Sequence, residues 1–169
     1  MHISSPQDNC WTVGSWHRAF IHALAALQVE YLQEAHMPGG AVLIIEDDPD
    51  IRESMRLLLE DEGYEVFDAE HGAAGLAMLY QAVHALVALV DYRMPVMDGA
   101  ELLRLVAADG VELRRHAFVL VTANSDLLPR ELARALTSLA VPTLNKPFDI
   151  DVLLVAVRRA QDTLRETPA

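Results

Sequence analysis

The sequence predicts a doubly wound α/β domain, with one parallel sheet and helices packed on both of its faces. Three observations carry this. Between Ala41 and Gln161, apolar β-rich runs alternate with helical stripes five times, the pattern of consecutive βαβ units. The strand runs, such as Ala41-Val42-Leu43-Ile44-Ile45, show no polar alternation, as expected of strands covered on both faces. One of them, Ala85 to Val90, ends abruptly in Asp91, and Pro95 and Asp98-Gly99 then force a loop. A carboxylate is thereby placed at the carboxyl end of a core strand, where open α/β sheets carry their ligands.

The first strand run, Ala41 to Ile45, ends in Glu46-Asp47-Asp48, followed by Pro49-Asp50. Asp50 is the expected N-cap of a helix whose stripe is Ile51, Met55, Leu58 and Leu59, with Gly63 terminating it. Glu65 to Asp68 alternates and reads as a short second strand, and Gly72 to His84 as a helix with Leu76 and Leu79 inward. The strand closing at Asp91 is the third. Gly99 to Ala108 is a helix with Leu102, Leu103 and Val106 inward. Ala117 to Val121 is the fourth strand, ending at Thr122. Leu128 to Leu139 is a helix with Pro129 in its first turn. Val141 to Asn145 reads as an edge strand because Pro142 cannot serve a central ladder. Lys146-Pro147-Phe148 follows, and Asp149 starts a last helix through about Gln161.

Residues 1–40 differ in character. They hold both tryptophans, Trp11 and Trp16, and few charges. Phe20, Leu24, Leu27, Tyr31 and Leu32 recur at helical spacing, predicting one amphipathic helix within Ser15 to His36 that docks on the main domain or a partner. The apolar run from Phe20 to Leu27 is too short to span a bilayer and lacks the basic flank of a signal peptide. Met37, just before Pro38-Gly39-Gly40, is an alternative natural start. His17, His22 and His36 read as surface or core-edge histidines, since nothing around them resembles a phosphohistidine site. The expected organisation is an extension over 1–40, a domain over 41–164 and a tail over 165–169.

Composition narrows the function. Of 169 residues, 52% are hydrophobic and 22% charged, enough to fill a core. A net charge of -12 repels nucleic acid and argues against direct DNA or RNA binding. Cys10 is the single cysteine, so neither an internal disulfide nor a thiolate zinc site is available, and a cytoplasmic location is expected. Lys146 is the only lysine. In a chain that otherwise uses arginine, it suggests a site that needs a compact ammonium rather than a planar fork.

Four strand runs end in chemically useful residues: Glu46-Asp47-Asp48, Asp91, Thr122 and Lys146. In a parallel sheet these ends share one edge. Carboxylates crowded from neighbouring strands resist joint ionisation unless a cation lies between them, and Mg2+ takes a few carboxylates while keeping several waters. Metal, carboxylate, hydroxyl and ammonium together suit the handling of a phosphoryl group, and a carboxylate can attack phosphorus to form an acyl phosphate.

The segments Val-Leu-Ile-Ile-Glu46-Asp47-Asp48-Pro-Asp-Ile-Arg, Val-Asp91-Tyr-Arg-Met94-Pro95-Val-Met-Asp98-Gly99, Val-Thr122-Ala123 and Lys146-Pro147-Phe148 resemble the receiver domain of bacterial two-component response regulators, over about Ala41 to Gln161. The resemblance implies a flavodoxin-like three-layer (βα)5 fold with strand order 2-1-3-4-5. It implies that Asp91 is the phosphoacceptor, that Asp47 binds Mg2+ directly with Glu46 beside it acting through water, and that the main-chain carbonyl of Arg93 completes the protein ligands. Thr122 would hydrogen-bond the phosphoryl group and Lys146 would pair with it. The Lys146–Pro147 bond would be cis. Asp48 is either a participant or a solvated loop acid, and Asp98 and Gly99 shape the loop and cap the third helix.

The resemblance further implies a sensor histidine kinase or histidine phosphotransfer protein as donor, a downstream protein target, and phosphorelay signalling rather than enzymatic turnover, here by a stand-alone receiver. One position departs from the family. Three residues before the lysine, where similar receivers carry an aromatic switch residue, stands Thr143, so the signal is expected to be read differently. Val152 and Val155 on the last helix are either a partner or homodimer face or scattered surface valines. The rival readings are a phosphorylation-independent interaction module on the same scaffold and a Mg2+-dependent phosphatase. The latter is opposed by Arg93, which stands two residues after Asp91 where a second carboxylate is wanted.

Overall fold

The computed structural model describes residues 39–109 and 111–166. The amphipathic helix expected before Gly39, the two tryptophans and the alternative start at Met37 lie outside the described residues.

Five parallel strands form one sheet: β1 (Ala41–Ile45), β2 (Glu65–Ala69), β3 (Val87–Asp91), β4 (Ala117–Thr122) and β5 (Thr143–Asn145), in the order β2-β1-β3-β4-β5. Five helices connect and follow them: α1 (Pro49–Asp61), α2 (Gly72–Gln81), α3 (Gly99–Ala108), α4 (Arg130–Ser138) and α5 (Ile150–Glu166). The expected flavodoxin-like order is therefore the observed one, with β2 and β5 at the edges.

The strands lack polar alternation because each face of the sheet has its own core. Leu43, Ile45, Ala88, Val90, Phe118 and Leu120 pack with Leu79, Leu102, Leu103 and Leu132 of α2, α3 and α4. Val42, Ile44, Val87, Leu89, Val119 and Val121 pack with Met55, Leu59, Leu153 and Val157 of α1 and α5. Successive strand residues point to opposite faces, so both sets must be apolar, and each fully buried Leu or Ile contributes about 1.5–3 kcal/mol.

Several boundaries differ from the sequence expectation. Asp48, not Asp50, caps α1: its Oδ1 accepts from the N–H groups of Asp50 (2.9 Å) and Ile51 (3.1 Å). Pro49 takes the first helical position, where a missing N–H is harmless. Asp48 is thus occupied as a helix cap. Helix α2 stops at Gln81, three residues short of His84. Helix α4 begins at Arg130, with Pro129 ahead of it at the cap position. The residue before a proline is driven to extended backbone, and Leu128 has φ −68° and ψ 137°. Strand β5 is shortened to Thr143–Asn145, and α5 runs on to Glu166, so residues 165 and 166 belong to the helix rather than to a tail. Gly63, at φ 85°, turns the chain after α1 as expected.

Candidate functional site

Backbone ties align the strand ends. In register, Asp91 faces Val121 and Thr122 faces Asn145. Past the ladder, Tyr92 N–H donates to Val121 O (2.8 Å) and Lys146 N–H to Thr122 O (2.7 Å). Asp91, Thr122 and Lys146 therefore come to one edge by strand pairing alone. The Lys146–Pro147 peptide is cis.

At that edge the lysine joins two acids. Lys146 Nζ donates to Asp91 Oδ1 at 2.6 Å and to Glu46 Oε2 at 2.7 Å. Asp91 is 7% exposed and Glu46 3%. The second oxygen of Asp91, Oδ2, accepts from the N–H of Arg93 at 2.7 Å. Asp47, the next residue after Glu46, is exposed. One carboxylate oxygen from each of Glu46, Asp47 and Asp91 lies within 4.8 Å of the others. Three acids this close could hold a hard divalent cation between them.

The charges respond to this crowding. Burial pushes the Glu46 carboxyl above its ordinary value, against the lowering effect of its hydrogen bond from Lys146. Burial pushes the Lys146 ammonium down, but hydrogen bonds to Asp91 and Glu46 and the charges of both acids outweigh it, so its pKa is raised. The ammonium thus stays protonated as their counter-ion.

The loop after Asp91 is shaped by its glycine. A Cβ on Gly99 would fall on the carbonyl oxygen of Asp91, and Gly99 N–H donates to Tyr92 O at 3.2 Å. Asp98 caps α3 through Oδ1 to Glu101 N–H (2.8 Å). Both residues shape the loop, as the sequence suggested. Arg93 stacks over the Tyr92 ring at 5.2 Å.

Thr122 is buried at 2% exposure, and its Oγ1 accepts from Asn124 N–H at 3.3 Å. Thr143 is exposed on the outer edge of the sheet. It lines an open groove of about 550 Å³ with Ala133, Leu136 and Thr137 of α4.

These strand-end acids, with the hydroxyl and the lysine, decide the family together with a family-model match. The response regulator receiver domain model matches residues 42–158. The chain belongs to that family. It is 34% identical over 125 residues to the C4-dicarboxylate transport transcriptional regulatory protein DctD of Rhizobium meliloti, covering 74% of this chain and 26% of that protein. It is 32% identical over 123 residues to the regulatory protein AtoC of Escherichia coli, covering 70% of this chain and 24% of that one. The chain thus spans about a quarter of the length of these two relatives. Among solved structures, the CheY-like receiver domain protein from Methanospirillum hungatei superposes with a TM-score of 0.64 at 26% identity, covering 76% of this chain and 99% of that one. The response regulator TrrA from Thermotoga maritima, solved in complex with Mg(2+)-BeF, has a TM-score of 0.61 at 26% identity, with 72% and 98% covered.

Residues 42–158 are therefore a receiver domain of the kind found in two-component response regulators. Among the described residues no helix is long and apolar enough to cross a membrane. Glu46, Asp47, Asp91, Thr122 and Lys146, the residues at the strand ends, come to one edge of the sheet; Arg52, which does not stand at a strand end, also reaches the main chain of the acidic loop. The available signal for Arg52 was a cation one helical turn past Asp48, beside a second strand that also carries an acid near its end, Asp68.

Proposed function

We propose that this receiver accepts a phosphoryl group on Asp91 from a sensor histidine kinase or histidine phosphotransfer protein. The observation that carries the reading is the contact of a single ammonium, Lys146 Nζ, with both Asp91 and Glu46 at hydrogen-bond distance, beside an Asp47 that completes a cation site. Glu46, Asp47 and Asp91 would hold Mg2+, with the main-chain carbonyl of Arg93. The donor set is all oxygen and strongly acidic, which suits a hard divalent ion. Bound there, Mg2+ would supply positive charge to offset the negative charge building on the transferring phosphoryl oxygens.

An oxygen of Asp91 attacks the phosphorus of a phosphohistidine; a P–O bond forms, the P–N bond breaks, and the imidazole leaves with its electron pair. Lys146 keeps the carboxylate oriented and pairs with the incoming phosphoryl oxygens. Thr122 donates its hydroxyl to one of them. The resulting acyl phosphate shifts the population of two conformers, and output is contact with a downstream protein or a homodimer partner through the fourth helix, fifth strand and fifth helix. Ile150, Val152 and Val155 are exposed on α5 and supply apolar surface for such contact.

A second reading is favoured by Thr143. It is exposed and small where an aromatic switch residue is expected, which suits an interaction module that works without phosphorylation. Incubation with Mg2+ and acetyl phosphate followed by intact-mass measurement separates the two. The phosphoacceptor reading expects a gain of one phosphoryl group, lost in Asp91→Asn and lost on chelation. No gain with any small donor favours the second reading.

A further inference from the structure

We propose that Arg52 is a positioning residue for the acidic site, acting through the main chain of Glu46 and Asp47. The inference rests on the Mg2+ site proposed above and extends it to a residue that ligates nothing itself. Arg52 Nη1 donates to the carbonyl oxygen of Glu46 at 2.6 Å and to that of Asp47 at 3.3 Å. Its Nε lies 3.3 Å from Asp68 Oδ2. Asp68 stands near the end of β2 and is also ion-paired to Arg56. A continuous chain of contacts therefore runs from β2 through Asp68 and Arg52 to the loop carrying both acids.

Asp47 needs this support. Its carboxylate is exposed and makes no hydrogen bond or ion pair with any described residue, so its direction is set by its backbone. Glu46 is steered by Lys146, but Asp47 has no such partner. One terminal nitrogen, Nη1, serves both carbonyls while Nε faces the carboxylate, two sides of a planar fork that the single nitrogen of an ammonium does not offer. Its place also runs against local electrostatics. Arg52 sits in the first turn of α1, where the helix dipole disfavours a cation. Groups that orient metal ligands from behind commonly change metal affinity by tenfold or more when removed.

The sign of the effect separates positioning from charge. A guanidinium near a cation site repels the cation, so charge alone predicts that Arg52→Gln binds Mg2+ more tightly and that Arg52→Lys is unchanged. Positioning predicts the reverse: about tenfold weaker binding in Arg52→Gln, weaker binding in Arg52→Lys despite its retained charge, and a smaller loss in Asp68→Asn. The test is Mg2+ titration calorimetry on the full unphosphorylated chain, with urea unfolding of each variant as a check that it is folded. Asp47→Asn serves as the reference for a lost ligand. Equal or tighter binding in Arg52→Gln, with Asp47→Asn still weakened, overturns the positioning role alone. Absence of Mg2+ binding by the wild-type chain overturns the metal site and the positioning role together.

Discussion

Lys146 Nζ stands 2.6 Å from Asp91 Oδ1 and 2.7 Å from Glu46 Oε2. One ammonium thus joins the end of β5 to the acids that close β1 and β3. With Lys146 replaced by Met, two nearly buried carboxylates would face each other without a counter-ion. Breaking a buried pair on one side costs about 3–5 kcal/mol. Lys146→Met is expected to lose about 3 kcal/mol of stability in chelator, and Mg2+ is expected to restore part of it by taking over the neutralisation. Urea unfolding with and without Mg2+ checks this; a variant as stable as wild type in chelator would show that the pair contributes little.

His116, just before β4, is a further buried polar group. Its Nδ1 accepts from Leu86 N–H at 3.2 Å and its Nε2 lies 3.1 Å from Leu79 O, so the neutral ring pins the end of α2 to the start of β3. Burial, with the Arg115 charge, lowers its pKa from 6.5 to about 4. The unfolded chain then binds a proton that the folded chain refuses between those values. The histidine's contribution is complete above pH 6.5 and is lost as pH falls towards 4, at up to about 1.4 kcal/mol per pH step and roughly 3 kcal/mol in all. Denaturant unfolding across that range should show a shallower pH dependence in His116→Gln than in wild type. Parallel curves would contradict it.

Val96 adopts φ 68° on the loop after Asp91, a left-handed backbone that β-branched residues disfavour. Its side chain is 80% exposed, so little packing offsets the strain. Asn tolerates this region. Val96→Asn is expected to gain about 1 kcal/mol, raising the melting temperature by a few degrees in calorimetry. A fall in melting temperature would show that Val96 makes contacts that outweigh its backbone cost.

Much of this fold was legible because the strands are covered on both faces. Leu43 and Ile44 face opposite cores, so β1 reads as an unbroken apolar run, and the acid that ends it is conspicuous. The same contrast exposed Asp91, whereas Lys146 stands out as the only lysine in the sequence. Helix ends were harder. Asp48 and Asp50 both have capping side chains, and only the geometry of Pro49 at the first helical position decides for Asp48. Leu128 carries a helical pattern, but Pro129 forbids it helical backbone. Arg52 was hidden for a different reason. It works through carbonyl oxygens, which the sequence carries at every position, and its anchor Asp68 lies on a strand brought beside it only by the 2-1-3 strand order.

If Asp91 takes the phosphoryl group, the modified residue can be located directly. The chain is incubated with Mg2+ and acetyl phosphate, reduced with borohydride, digested and sequenced by mass spectrometry. An acyl phosphate on Asp91 predicts conversion of that residue to homoserine, in the wild-type chain only and only with Mg2+ present. Homoserine at Asp47 or Asp98, or none anywhere while the protein is folded and the donor intact, would contradict it.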